Sequence, residues 1–320
     1  HIEWNNGETT VGSISLHRIT DTHPLSVMRL ACLLAYFVVL FTNDVWDERV
    51  TFRRVVLESA PDWKTNPTPL NAFDFYPGCI ETSPFPSHVD FANQRLSQHK
   101  MLASVTQEEL LFSVRPECML SLVLFEKLLP TDGVLMENTL LINTSTGYAQ
   151  TFKWTGVHAE TMMHQPSTVV AIDACYCLCF SENNIVRDLN KAFVAFKAAP
   201  APVATGKWGC GVFGNDPLLK LLQQTMVFSV LGVQGKFCWM NQQEFDTLND
   251  VVKRCVAKHM TVGDVYTLLV EYRREMGSFQ TFMVEKIDSW QCFVRWFSPP
   301  DLCRRFYQRT TGQGLYNERE

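Results

Sequence analysis

Val89-Asp90-Phe91-Ala92-Asn93, followed across residues 94–106 by Gln107-Glu108-Glu109, decides how this 320-residue chain is read. The first segment reads as the end of a strand. The second places two adjacent carboxylates at the head of an apolar stretch, Leu110 to Leu129, that reads as a helix bent or restarted at Pro116. Acidic residues in a first helical turn are stabilised by the helix dipole, so the pair alone is an ordinary charged helix start. Behind a strand ending in Asp90 and Asn93, the same pair can instead gather carboxylates and amides around one small pocket.

The rest of the chain supports a folded α/β protein. Hydrophobic residues make up 46% and charged residues 19%, which fits a packed domain rather than a disordered one. The formal net charge of −5 disfavours a protein that grips DNA or RNA by neutralising phosphates, and no direct DNA binding is expected. It leaves room for a pocket that binds one phosphate pair through backbone amides. The 11 cysteines contain no C-x-x-C pair. Cys175, Cys177 and Cys179 would share one face of a strand and read as small buried thiols. No metal site and no cofactor are expected, and free thiols fit the cytoplasm or nucleus. Leu30 to Phe41 is an unbroken apolar run, short of the roughly twenty residues of a membrane span. It reads as a buried helix that starts at Pro24 with Asp21 or Thr22 as cap, and no membrane is expected.

Residues 1 to about 60 read as mostly helical, and Pro61 to Pro86 as irregular with short extended pieces. Leu140–Asn143 and Thr168–Cys175 read as strands. Helices are expected over Asn183–Lys197, Leu218–Val230, Thr247–His259 and Val265–Met276. Strands alternating with helices argue for a layered α/β domain.

A second informative segment is Ala204-Thr205-Gly206-Lys207-Trp208-Gly209-Cys210-Gly211-Val212-Phe213-Gly214-Asn215-Asp216-Pro217. Glycines let a backbone approach a ligand closely. Asp216 and Pro217 suit the cap and first turn of a helix, and exposed N–H groups leading into such a helix make an anion site. A tight turn with no ligand is the plain alternative.

Taken together, these segments resemble the poly(ADP-ribose) glycohydrolases. In that family V-D-F-A-N is followed by a three-glycine loop and Q-E-E, and the second loop reads A-T-G-N-W-G-C-G-x-F-G-G-D. Val50-Thr51-Phe52 with Asp62-Trp63, Ile80-Glu81, Thr146-Gly147-Tyr148-Ala149, Val170 to Ala174, Leu189 to Ala192 and Thr261 to Tyr266 resemble further family segments in the same order. The resemblance implies a macrodomain-like three-layer α/β/α core with additional helices. It places an N-terminal helical accessory region at 1–75, the catalytic core at 76–288 and an aromatic, basic extension at 289–320.

The resemblance also implies roles. Glu109 would protonate the departing ribose oxygen and then activate water. Glu108 would orient the ribose, and Asp90 and Asn93 would fix the loop and the ribose hydroxyls. Ile80 and Glu81 would recognise adenine, Tyr148 would cover the adenosine side, and Trp239 is the candidate stacking residue, although Tyr148 and Trp239 also read as core aromatics. Gln107, Thr205, Gly206, Gly209, Cys210, Gly211 and Phe213 complete the expected site, with poly(ADP-ribose) or ADP-ribose as its ligand. The chain departs from the family at Ser97-Gln98-His99, which stand where the three glycines do, and at Lys207 and Asn215; the spacing from Glu81 to Asp90 is one residue shorter. Three readings follow: a glycohydrolase with an altered loop, an ADP-ribose reader with impaired catalysis, and an interaction protein that reuses the fold with protein partners in a larger assembly.

Overall fold

The structure, a computed structural model, describes residues 23–42, 49–72, 74–96, 106–158 and 165–290. Its strands are β1 (Thr51–Val56), β2 (Asp74–Pro77), β3 (Ser87–Ala92), β4 (Asp132–Thr139), β5 (Asn143–Thr146), β6 (Lys153–Val157), β7 (Ser167–Asp173), β8 (Val203–Thr205) and β9 (Gly235–Trp239). Seven form one mixed sheet in the order β1-β4-β7-β3-β8-β9-β2, and β5 and β6 form a separate hairpin. Pairing is antiparallel from β1 through β4 to β7 and parallel from β7 to β2. β7, Ser-Thr-Val-Val-Ala-Ile-Asp, is buried at every position, as a central strand covered on both faces requires.

The helices are α1 (Pro24–Thr42), α2 (Gln107–Val114), α3 (Ser121–Leu124), α4 (Glu182–Ala198), α5 (Pro217–Leu231), α6 (Gln242–Ala257), α7 (Val262–Glu271) and α8 (Phe279–Asp288). Leu111 and Phe112 of α2 pack with Cys118 and Leu122 on one sheet face, against Ala92, Val134, Met136, Val169 and Ala171. Burying such a side chain contributes roughly 1.5–3 kcal/mol. α4 lies on the other face, where Ala195 abuts Gly133, and α5 joins it through the stacked rings of Phe196 and Phe228, 4.8 Å apart. The result is the expected three-layer α/β/α order.

Several local expectations are corrected. β1 lies within residues 1 to about 60, the stretch expected as mostly helical, and joins the central sheet, while β2 is one of the short extended pieces expected over Pro61 to Pro86. α1 is not a buried helix: Leu25, Arg29, Cys32 and Val39 are buried, while Leu34, Phe37, Val38 and Phe41 are exposed. Among the described residues it is the one helix long and apolar enough to cross a membrane. The cap candidates Asp21 and Thr22 lie outside the described residues. Leu140 to Ile142 form no strand, because Leu140 N–H donates to Glu117 Oε2 at 2.7 Å and Ile142 N–H to the Val114 carbonyl at 3.0 Å. The cysteine triplet does not lie on a strand either. β7 ends at Asp173, the chain turns through positive φ at Cys177 and Leu178, and Cys177 is exposed while Cys175 and Cys179 are buried. The helix expected to run to Leu129 ends at Leu124, α6 starts five residues earlier than read, at Gln242, and α7 stops at Glu271.

A buried ionic chain ties the layers together. Lys191 of α4 lies 3.1 Å from Asp132 of β4 and 2.9 Å from Asp173 of β7. Arg187 pairs with Asp173 and Asp188, and Asp188 also meets Lys220 of α5. Burial alone would push the Asp188 carboxyl up, but Lys220 and Arg187 outweigh it and hold it below its ordinary value. Asp173 is thus an ion-pair residue.

Candidate functional site

β3 and β8 pair only at their first residues, Ser87 with Val203 and His88 with Ala204, and then part. In a sheet of parallel strands such a divergence opens a crevice at the carboxyl ends. Parting strands leave backbone groups without partners, and Gln107 replaces them. Its Oε1 accepts from Phe91 N–H at 2.8 Å and its Nε2 donates to the Val89 carbonyl at 3.1 Å. The first residue of α2 therefore acts as a short stand-in for a neighbouring strand.

The crevice holds a cavity of about 310 Å³. Of the residues expected at the site, Ile80, Glu81, Gln107, Tyr148, Gly206 and Trp239 form its wall. Glu81 is buried, and that burial pushes its carboxyl up to about 7, against weaker opposing hydrogen bonds from its own backbone and from Gln107. Tyr148 is half exposed at the rim. Burial, then Glu81, Cys79 and Glu109, raise its phenol.

Glu108 and Glu109 lie just behind Gln107, both buried, and neither forms part of the cavity wall. Glu108 Oε2 accepts from Asn93 N–H at 3.3 Å, which holds the exposed turn after β3. Glu109 Oε2 accepts from Thr106 N–H at 2.8 Å and from the Thr106 hydroxyl. Buried Arg29 of α1 interacts with Glu109. Asp90 is fully buried on the side of β3 opposite Phe91, where its charge helps raise the Cys118 thiol. Alternation along the strand sends Asp90 towards the α2 layer and Phe91 towards the cavity. The segment Ser97-Gln98-His99 lies outside the described residues.

The glycine loop is built as a close approach. A Cβ on Gly206 would lie 2.9 Å from the Cys238 carbonyl oxygen, so glycine there lets the loop press on β9. Gly209 has φ +74, and its Cβ would lie 2.4 Å from Ala174 Cβ. Trp208 is fully buried and donates to the Ile172 carbonyl at 3.0 Å. Asn215 anchors the far end by donating to the Cys175 and Gly209 carbonyls at 2.8 and 2.9 Å. Asp216 then caps α5 at Leu219 N–H, with Pro217 in the first turn, as the sequence predicts. Thr205 is turned into the core, bonded to Gln224 Oε1 at 2.5 Å, and Phe213 packs edge-on against Tyr176. Thr205, Gly209, Cys210, Gly211 and Phe213 are not part of the cavity wall among the described residues.

Lys207 and Glu244 are among the wall residues that were not expected at the site. Lys207 Nζ lies 3.7 Å from the Trp239 ring centroid and 2.6 Å from Glu244 Oε1. Glu244 Oε2 accepts from Trp239 Nε1 at 3.0 Å. Lys207 is visible in the sequence as a departure, whereas Glu244 becomes visible only once α6 is seen to start at Asn241, its cap. Among the described residues no group of His, Cys, Asp or Glu is placed to hold a metal ion.

A family model described as poly(ADP-ribose) glycohydrolase, macro domain fold, matches residues 60–247. The chain is 24% identical over 303 residues to poly(ADP-ribose) glycohydrolase 1 of Caenorhabditis elegans, covering 85% of this chain and 39% of that protein. It is 25% identical over 322 residues to probable poly(ADP-ribose) glycohydrolase 2 of Arabidopsis thaliana, covering 80% of this chain and 61% of that protein. The chain thus spans less than two thirds of the length of these relatives. A crystal structure of poly(ADP-ribose) glycohydrolase from Deinococcus radiodurans in complex with ADP-ribose matches at 13% identity and a TM-score of 0.34, over 75% of this chain and 99% of that one.

Proposed function

From the premise that this chain belongs to the poly(ADP-ribose) glycohydrolase family, we propose that its cavity recognises an ADP-ribose unit and that Glu109 cleaves the ribose–ribose O-glycosidic bond beside it. One observation carries the reading: Glu81, Gln107, Tyr148 and Gly206 converge on one cavity at the carboxyl ends of β3, β8 and β9, directly ahead of Glu108-Glu109. Glu81 and Ile80 take the adenine, Tyr148 covers the adenosine, and the Gly206 loop lies against the diphosphate.

Cleavage of such a bond passes through an oxocarbenium-like transition state. Glu109 gives its proton to the departing ribose oxygen and then takes one from the attacking water. Glu108 orients the ribose while holding Asn93, and Asp90 acts from behind the strand as a positioning residue. Calorimetric titration with ADP-ribose tests recognition, and no heat of binding would remove it. A second reading is binding without cleavage. It is favoured by Ser97-Gln98-His99 standing where the family motif has glycines, the residue type that allows the closest backbone approach, and by the engagement of Glu109 with Thr106. ADP-ribose bound but never released from polymer is the result that would select it.

A further inference from the structure

Lys207 stands in the glycine loop beside Gly206, yet its side chain leaves the loop and lies across the cavity to α6. There it covers the ring that a planar ligand would need. Its ammonium lies 3.7 Å from the Trp239 ring centroid, Phe237 stacks on the same indole at 5.2 Å, and Trp239 is buried. Glu244 holds both partners, taking Lys207 Nζ on Oε1 at 2.6 Å and Trp239 Nε1 on Oε2 at 3.0 Å.

The charge of the wall makes this arrangement matter. Lys207 is the one cationic side chain lining the cavity among the described residues, against the acidic side chains of Glu81 and Glu244. A cation tied to Glu244 offers little to an anionic ligand. The tie is exchangeable, because the Lys207 and Glu244 side chains are 38% and 41% exposed and an exposed pair is weak. A phosphate pair with more negative charge and more acceptor oxygens than one carboxylate competes well for the ammonium.

We infer that Lys207 is a specificity-determining residue: its ammonium passes from Glu244 to the diphosphate of the ligand and, in leaving, uncovers Trp239 for the base. The inference rests on the ADP-ribose reading of the cavity. It assigns the phosphates an electrostatic reader where the family motif has asparagine, and it couples phosphate binding to base stacking.

The test is calorimetry on wild type, Lys207→Asn and Glu244→Gln with ADP-ribose, adenosine and inorganic pyrophosphate, at low and high salt. Lys207→Asn is expected to weaken ADP-ribose binding about tenfold and flatten its salt dependence, the effect of losing one charge-assisted contact. Adenosine, which has no phosphate, is expected to bind this variant at least as well as wild type. Glu244→Gln keeps an acceptor for Trp239 but releases the ammonium, so it is expected to tighten ADP-ribose binding, a gain that a misfolded variant cannot give. Unchanged ADP-ribose affinity and salt dependence in Lys207→Asn would overturn the inference, as would weakened binding in Glu244→Gln. Lys207-dependent binding of pyrophosphate without binding of ADP-ribose would sink the ADP-ribose reading and keep Lys207 as a phosphate reader. Binding of neither by wild type would overturn both.

Discussion

The carboxylate of Glu109 caps its own helix through Thr106, three residues before it: Thr106 N–H reaches Oε2 at 2.8 Å, and the Thr106 hydroxyl donates to the same oxygen. The residue proposed as general acid is therefore also part of the helix start. Capping of this kind contributes about 0.5–2 kcal/mol. Thr106→Ala is expected to lower unfolding stability by that amount in a denaturant titration, and Thr106→Ser to restore most of it. Equal stability of all three proteins would show that the cap contributes nothing.

Gln107 does for β3 what a neighbouring strand would have done. Gln107→Leu fills the same space but leaves Phe91 N–H and the Val89 carbonyl without their partner. Each buried group left unpaired costs about 1–3 kcal/mol, so a loss of about 2–6 kcal/mol is expected. A loss under about 1 kcal/mol would mean that water replaces the amide.

Glu81 sets a pH dependence of stability. Its carboxyl is pushed up to about 7 by burial, whereas an unfolded chain releases that proton near 4.3. The folded protein therefore binds the proton more tightly, and its contribution is fully present below the unfolded value and lost as pH rises through 7. Glu81→Gln carries no such charge. Its stability relative to wild type is expected to improve by on the order of 2 kcal/mol between about pH 5 and pH 8. A difference that stays flat over that range would contradict a buried, raised carboxyl.

Lys220→Met removes one of the two cationic partners of a fully buried Asp188. Breaking a buried pair on one side costs about 3–5 kcal/mol, and Lys220→Met with Asp188→Asn should recover part of the loss. Thermal unfolding of the single and double variants measures this. A single variant as stable as wild type would show that Arg187 alone satisfies Asp188.

Much of this was legible in the sequence, for identifiable reasons. α4, α5 and α7 announce themselves by helical spacing and caps, as Thr261 does for Asp264. β7 shows in its unbroken apolar run, Val169 to Ile172. The glycine loop shows in its composition, and the wall residues Ile80, Glu81, Gln107, Tyr148, Gly206 and Trp239 were all named from motifs. What stayed hidden depends on contacts distant in the chain. β1 is half exposed and lies at an edge, so its pattern is weak. Leu140 to Ile142 look like a strand but bond to Glu117 and Val114. Glu244 meets Lys207 across a fold that the sequence does not display.

The most direct measurement is release of free ADP-ribose from purified poly(ADP-ribose) by the wild-type protein and by Glu109→Gln. Release by wild type is expected, with a fall of about 10²–10⁴-fold in the variant and ADP-ribose binding retained in both. Release that persists undiminished in Glu109→Gln would contradict the assigned acid. Binding of ADP-ribose with no release by wild type would leave the cavity as a reader and remove the hydrolysis.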